Sequence, residues 1–280
     1  MKDVIKPDSV WDSADELAED EIELLVTDLI RANKRPSPDS RFITYIGTSA
    51  SNPSLDLLTA RAELTRFGLS FGDGSKELTQ LYGDISDTIC ILVIDDVDKL
   101  HPKLASASRI AFEDDAHIYR LPTVQALRVG QPESRGFDQE SKTWTVTQAE
   151  YEKALAEIAL DQDLVYDGST IASMPEYRNG AASLPIFSAY ARAARNGYCG
   201  FRGNFASTIV KDVADIIGMV GGFEVLRKIE GTSYEEFSGA PNTAPHIGKI
   251  DPSRFSSSMA DRVSTRDEEI DIDGSTYVFL

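Results

Sequence analysis

The segment Thr88–Val97, Thr-Ile-Cys-Ile-Leu-Val-Ile-Asp-Asp-Val, limits the possible fold more than any other. It is short, apolar and rich in β-branched residues, a combination that suits a strand. Arg41–Thr48 reads as a second strand. A turn at Ser49–Pro53 leads to a predicted helix over Ser54–Phe67. Short helices are expected at Lys76–Gly83 and Pro122–Arg128, and a strand or hairpin within Ser108–Leu121, turned at Asp114-Asp115. Strand and helix alternate in this way across residues 39–130, which predicts an α/β layer.

Residues 12–34 precede that layer and read as an acidic amphipathic helix. Leu17, Ile22, Leu25, Leu29 and Ile30 recur near helical spacing, and Ser13 with Glu16 fits a capping pattern. Arg31, Lys34 and Arg35 suit its negative C-terminal end, and Pro36 and Pro38 stop it. Residues 1–38 are therefore expected to form an acidic helical arm. Residues 131–142 are polar and periodless, the pattern of a loop or linker. A short strand is expected at Thr143–Thr147. Beyond it, residues 143–280 are expected to be mainly helical, through Thr147–Leu160, Leu184–Arg195 and Phe205–Ile229. A C-terminal hairpin is expected to turn at Asp273-Gly274. The fold class is thus mixed α/β (α+β).

Charge narrows the function. The chain carries 46 acids against 28 bases, a formal net charge of −18. Such an excess repels free nucleic acid and anionic membrane at long range. It leaves room for a local polyanion site, because screening confines each charge to roughly a Debye length, ~8 Å at physiological salt. Two cysteines, Cys90 and Cys199, make no disulfide framework and suit a reducing compartment. No apolar run approaches the ~20 residues of a transmembrane helix, and the first residues lack the apolar core of a signal peptide. A cytoplasmic protein, or one assembled inside a host cell, is expected.

Against that charge, no Asp or Glu occurs from Tyr177 to Lys211. Arg178, Arg192, Arg195, Arg202 and Lys211 lie there, interleaved with Tyr177, Phe187, Tyr190, Tyr198, Phe201 and Phe205. On a helix over Leu184–Arg195, Arg192 and Arg195 share a face. Gly197, Gly200 and Gly203 follow, with Arg202 among them. Glycine bares backbone N–H groups, arginine presents a fork matched to phosphate oxygens, and aromatic rings stack on unpaired bases. Arg178, Arg192, Arg195, Arg202, Tyr190, Tyr198 and Phe201 are thus candidates for binding nucleic acid or another polyanion. The alternative is that these arginines pair with the chain's own carboxylates or with a neighbouring subunit.

The end of the apolar strand, Ile-Leu-Val-Ile-Asp95-Asp96, resembles the Walker B element of P-loop ATPases over about ten residues. The resemblance implies that Asp95 takes magnesium and that Asp96 sits beside it. No G-x-x-x-x-G-K-[ST] loop precedes it; Gly47-Thr-Ser-Ala-Ser-Asn and Gly72-Asp-Gly-Ser-Lys differ in spacing. Tyr45-Ile-Gly47 with Arg61 resembles part of the GIY-YIG nuclease pattern, without the Gly-Ile-Tyr strand that precedes it there. Phe201-Arg-Gly203, Ser256–Ser258 and Asp267–Glu269 resemble elements of ADP-ribosyltransferases. The last two are closer together than that family's intervening strands allow. His101, His117 and His246 have no zinc-ligand spacing, and no G-x-S-x-G elbow marks a nucleophile.

Charge asymmetry without a complete catalytic motif favours a non-enzymatic structural or assembly protein, of the capsid or nucleoprotein kind. Its expected partners are further copies of itself and single-stranded nucleic acid, with no membrane and no cofactor. The alternative expectation is a magnesium-dependent nucleotide or phosphate-transfer enzyme using Asp95 and Asp96.

Overall fold

The computed structural model describes residues 9–33, 40–71, 78–79, 82, 85, 87–114, 116–125, 127–131, 136–138, 143–158, 165–177, 185–186, 189, 204–207, 223–228, 246–250 and 275–280. The chain divides into two compact units. One comprises Met1–Arg109, Thr170–Ile186 and Asp267–Leu280; the other comprises Ile110–Ser169 and Phe187–Arg266.

In the first unit the described acidic arm is two helices, α1 (Val10–Asp15) and α2 (Glu19–Ala32). The expected cap at Ser13 and Glu16 is displaced. Ser9 caps α1, and its side chain and backbone exchange hydrogen bonds with Asp12. Glu21 reaches back to the Ala18 N–H to start α2. Both start signals are local S/T-x-x-acid or x-x-x-acid pairings, and two of them split what one period reads as continuous. Ile22, Val26, Leu29 and Ile30 form the buried face of α2.

These residues pack on a sheet. β1 (Phe42–Thr48) and β2 (Thr88–Asp95) run antiparallel, with Tyr45 opposite Leu92. The sheet order is β11 (Ser275–Phe279), β1, β2, β3 (Lys103–Glu113) and β7 (Val165–Ser173). The long helix α3 (Pro53–Phe71) joins β1 to the β2 side of the molecule. Leu55, Leu58 and Ala62 of α3 share a core with Ile43, Tyr45, Cys90, Leu92 and Ile94. Each large aliphatic side chain fully removed from water contributes ~1.5–3 kcal/mol, so this layer is a major source of the unit's stability.

β11 pairs parallel with β1. The other arm of the expected C-terminal hairpin lies outside the described residues. Leu280, just after β11, donates its N–H to the Ile46 carbonyl at 2.8 Å. Gly47 permits that close approach: a Cβ there would meet Leu55 at 3.0 Å and Leu280 at 3.2 Å.

In the second unit, β4 (Leu127–Val129) lies parallel to β6 (Thr143–Val146), and β5 (Gly136–Asp138) antiparallel to it. β5 falls within the stretch expected to be loop. A four-residue helix, α4 (Pro122–Gln125), precedes β4. α5 (Gln148–Ile158) begins where Thr147 and Glu150 exchange hydrogen bonds, at 2.8 Å from the Thr147 N–H and 3.3 Å from the Glu150 N–H. β8 (Asn204–Ser207) and β9 (Phe223–Lys228) flank β10 (His246–Ile250), both antiparallel. Phe223–Lys228, expected to be helical, is therefore a strand. Phe223, Val225 and Leu226 have strand propensity, and the segment pairs with β10. With both units described, the class is α+β.

Candidate functional site

The acids at the end of β2 occupy a defined setting. Asp95 Oδ2 accepts from Arg41 Nη2 and from the Tyr177 hydroxyl, each at 3.0 Å. Asp95 Oδ1 accepts from the Val97 N–H at 3.2 Å. The bond to Asp95 holds the Arg41 guanidinium above its ordinary pKa. Burial, then Asp95, pushes the Tyr177 phenol up as well, so it remains a protonated donor. Asp96 is buried, and Lys99 Nζ lies 2.6 Å from its Oδ2. Both acids thus sit against the chain's own cations. Among the described residues, no group of three or more His, Cys, Asp or Glu is placed to hold a metal ion.

The tip that follows is built by Asp98, which accepts from the Leu100 and His101 N–H groups at 3.0 and 3.3 Å. Those bonds, the one from Leu100 foremost, hold its carboxyl below the usual range. His101 Nδ1 lies 2.7 Å from Glu23 Oε1 on α2. The Glu23 bond raises the imidazole pKa. Stability from this pair is present below the unfolded histidine pKa, ~6.5, and is lost as pH rises through the higher folded value. Titration of His101 by NMR should therefore give a pKa above that of a free histidine. Glu23→Gln should bring it down; an unchanged value would remove the pair as its cause.

The polyanion candidates Arg178, Arg192, Arg195, Arg202, Tyr190, Tyr198 and Phe201 lie outside the described residues. Tyr177, which opens that segment, is buried and bonded to Asp95. Each arginine whose side chain is described contacts a carboxylate: Arg31 with Asp28, Arg41 with Asp95, Arg61 with Glu19, Arg109 with Asp56 and Glu63, and Arg120 with Glu113. Asp114, read as a turn acid, bonds His117 at 2.6 Å. Tyr45, of the nuclease-like triplet, is a core side chain.

Sequence reasoning missed a fully buried ion pair. Arg109 on β3 is 2% exposed. Its Nε lies 3.2 and 3.1 Å from the two oxygens of Glu63, which is 0% exposed. Arg109 Nη1 donates to Asp56 at 2.6 Å and to Thr88 at 2.8 Å. Trp11 of α1 donates its indole N–H to Glu63 at 3.1 Å. The Trp11 and Tyr82 rings stack at 5.6 Å, and the guanidinium lies 5.2 and 5.8 Å from their centroids. Burial alone would push Arg109 down; the Glu63 and Asp56 carboxylates outweigh it and hold the cation well above its ordinary range. Burial pushes the neighbouring Cys90 thiol up to about 12 despite Arg109, so it is no nucleophile at neutral pH. The cluster is a lock: it fixes α1 and α3 against β2 and β3, and offers no reacting group. Its one local trace is Asp56 and Glu63, seven apart on a helix whose same side carries Leu55, Leu58 and Ala62.

No known protein family matches the chain, and no curated protein matches it in sequence. Among solved structures, a mutant of agmatine N-acetyltransferase in its apo form is similar to 74% of this chain and 98% of its own, with 9% identity and a TM-score of 0.38. At that score the likeness carries no functional argument. Fold and site together define an α+β protein with a buried arginine lock. No described helix is long and apolar enough to cross a membrane.

Proposed function

We propose that this chain is a non-enzymatic binding or assembly protein, of the capsid or nucleoprotein kind. In this reading the acid-free segment that follows the buried Tyr177, up to Lys211, meets single-stranded nucleic acid or an acidic partner surface. Charge distribution carries it. The described arginines sit on the chain's own carboxylates, which leaves the acid-free segment as the richest remaining source of cations for an external anion. Arg192, Arg195 and Arg202 would bind phosphate or carboxylate oxygens, and Tyr190, Tyr198 and Phe201 would stack on bases.

The magnesium reading has less support. To take a cation, Asp95 must release Arg41 and Tyr177, and Asp96 must release Lys99. Breaking such charge-assisted contacts opposes metal binding.

Size-exclusion chromatography of freshly purified protein, read at 260 and 280 nm, tests the proposal. The expected result is elution ahead of a monomer, with an absorbance ratio above that of protein alone that falls in high salt. A monomer with a pure-protein ratio at low salt overturns it.

A further inference from the structure

The tip after β2 is fastened to α2, and both segments expose apolar side chains beside the fastening. Leu24 on α2 is 61% exposed, and Val97 and Leu100 on the tip are 66% and 81% exposed. Single exposed leucines are ordinary, but these belong to one junction. Glu23 Oε1 and His101 Nδ1 lie 2.7 Å apart, and Leu24 and Leu100 are their immediate neighbours in sequence. Asp98 holds the shape of the tip through the Leu100 and His101 N–H groups. Apolar anchors on an ordered backbone lose little entropy when a partner takes them. Acids surround them. Asp20 and Asp28 stand one helical turn before and after Leu24, about 6 Å along the axis on either side, and Glu21 shares that face. Asp98 is exposed on the tip. Of the nearby cations, Arg31 is engaged by Asp28 and Lys99 by Asp96, and exposed Lys103 lies in the field of Asp98.

We propose that this junction docks a cationic amphipathic helix of another protein, one with an apolar stripe for Leu24, Val97 and Leu100 flanked by lysine or arginine. Charge complementarity selects that occupant. On a helix laid along α2, basic side chains at i and i+8 meet Asp28 and Asp20, and an apolar residue at i+4 meets Leu24. The same acids turn other candidates away. Nucleic acid and anionic lipid carry the sign of the acids themselves. The identical face of a second copy would set acid against acid. A metal ion needs converging ligands, and among the described residues no group of three or more His, Cys, Asp or Glu is placed to hold one. This surface is distinct from the acid-free segment, and the inference does not rest on that segment facing outward.

A fluorescent helical peptide of leucine and lysine, about four turns long, is the probe. It should bind the full-length chain saturably at physiological salt. Leu24→Ser/Leu100→Ser keeps the charge and should weaken binding at least about tenfold, as should replacing the leucines of the peptide with glutamine. Asp20→Asn/Asp28→Asn keeps the apolar anchors and should weaken it at least about fivefold. Glu152→Gln/Glu156→Gln on α5 changes the net charge equally at exposed positions and should weaken it less than about twofold. Circular dichroism should show these variants folded, since every replaced side chain is exposed. On the unmodified chain, NMR signals of residues 20–28 and 97–101 should shift as peptide is added, a readout that needs no variant. Equal losses with the two acid pairs would mean that overall charge attracts the peptide. Undiminished binding to the leucine variant would put the apolar contact elsewhere. Either result overturns the inference, and so does a lack of saturation up to about 100 μM peptide. Self-association of the unmodified chain that the leucine pair abolishes would assign the face to a second copy, and would overturn it too.

Discussion

Replacing Arg109 with methionine should destabilise the protein by about 3–5 kcal/mol, the usual cost of removing one partner from a buried ion pair. The side chain is 2% exposed, and Glu63 beside it is 0% exposed. Methionine matches the length of the stem, so the loss is chiefly the charge and its donors. Glu63 then keeps the Trp11 indole as a donor but loses the cation that balances its negative charge. Thr88 and Asp56 lose their contacts to the guanidinium as well. Urea unfolding at neutral pH measures the loss as a lower midpoint at unchanged slope. The double variant Arg109→Met/Glu63→Leu removes the stranded charge, and apolar replacements of buried pairs are often close to neutral. It should therefore be more stable than Arg109→Met alone, although it has lost more polar contacts. If the double is as unstable as the single, the two residues are not coupled and the lock reading is wrong.

That cluster also shows where a sequence stops being legible. β1, β2, α3, β6 and α5 were all readable, because period and β-branching act within a few residues. Arg109 meets Glu63 across 46 positions and Asp56 across 53, and no local pattern encodes either meeting. The acids at the end of β2 divide in the same way. Asp95 and Asp96 are plain as a motif, but the groups that neutralise Asp95 come from 54 and 82 positions away. Local rules that compete give the remaining errors. Ser9 with Asp12, and Ser13 with Glu16, offer α1 the same capping chemistry, and periodicity does not rank them. Phe223–Lys228 mixes β-formers with Glu224, Arg227 and Lys228, and its pairing with β10 decided in favour of strand.

Reversing both Arg192 and Arg195 to glutamate should reduce binding of a single-stranded oligonucleotide by at least about a hundredfold at low salt. On the proposed reading two phosphate contacts would be lost and two repulsions added, and the slope of log affinity against log salt should fall by roughly 0.7 per lost contact. The slope separates the local reading from a global one. An acidic chain repels nucleic acid through its net charge of −18 in any case, but that field is screened within a Debye length. Lys153→Glu on α5, an exposed position, changes the charge as much per site. It should weaken binding no more than about twofold and leave the slope alone. Asp95→Asn completes the comparison. It removes the charge that Arg41 and Tyr177 share, so it should lower stability while leaving oligonucleotide affinity intact. A magnesium-dependent phosphate turnover that disappears with Asp95→Asn and survives the arginine reversals would decide the question for the strand end. Equal losses with Lys153→Glu and with the arginine pair would mean that overall charge governs binding, and that the acid-free segment has no special role.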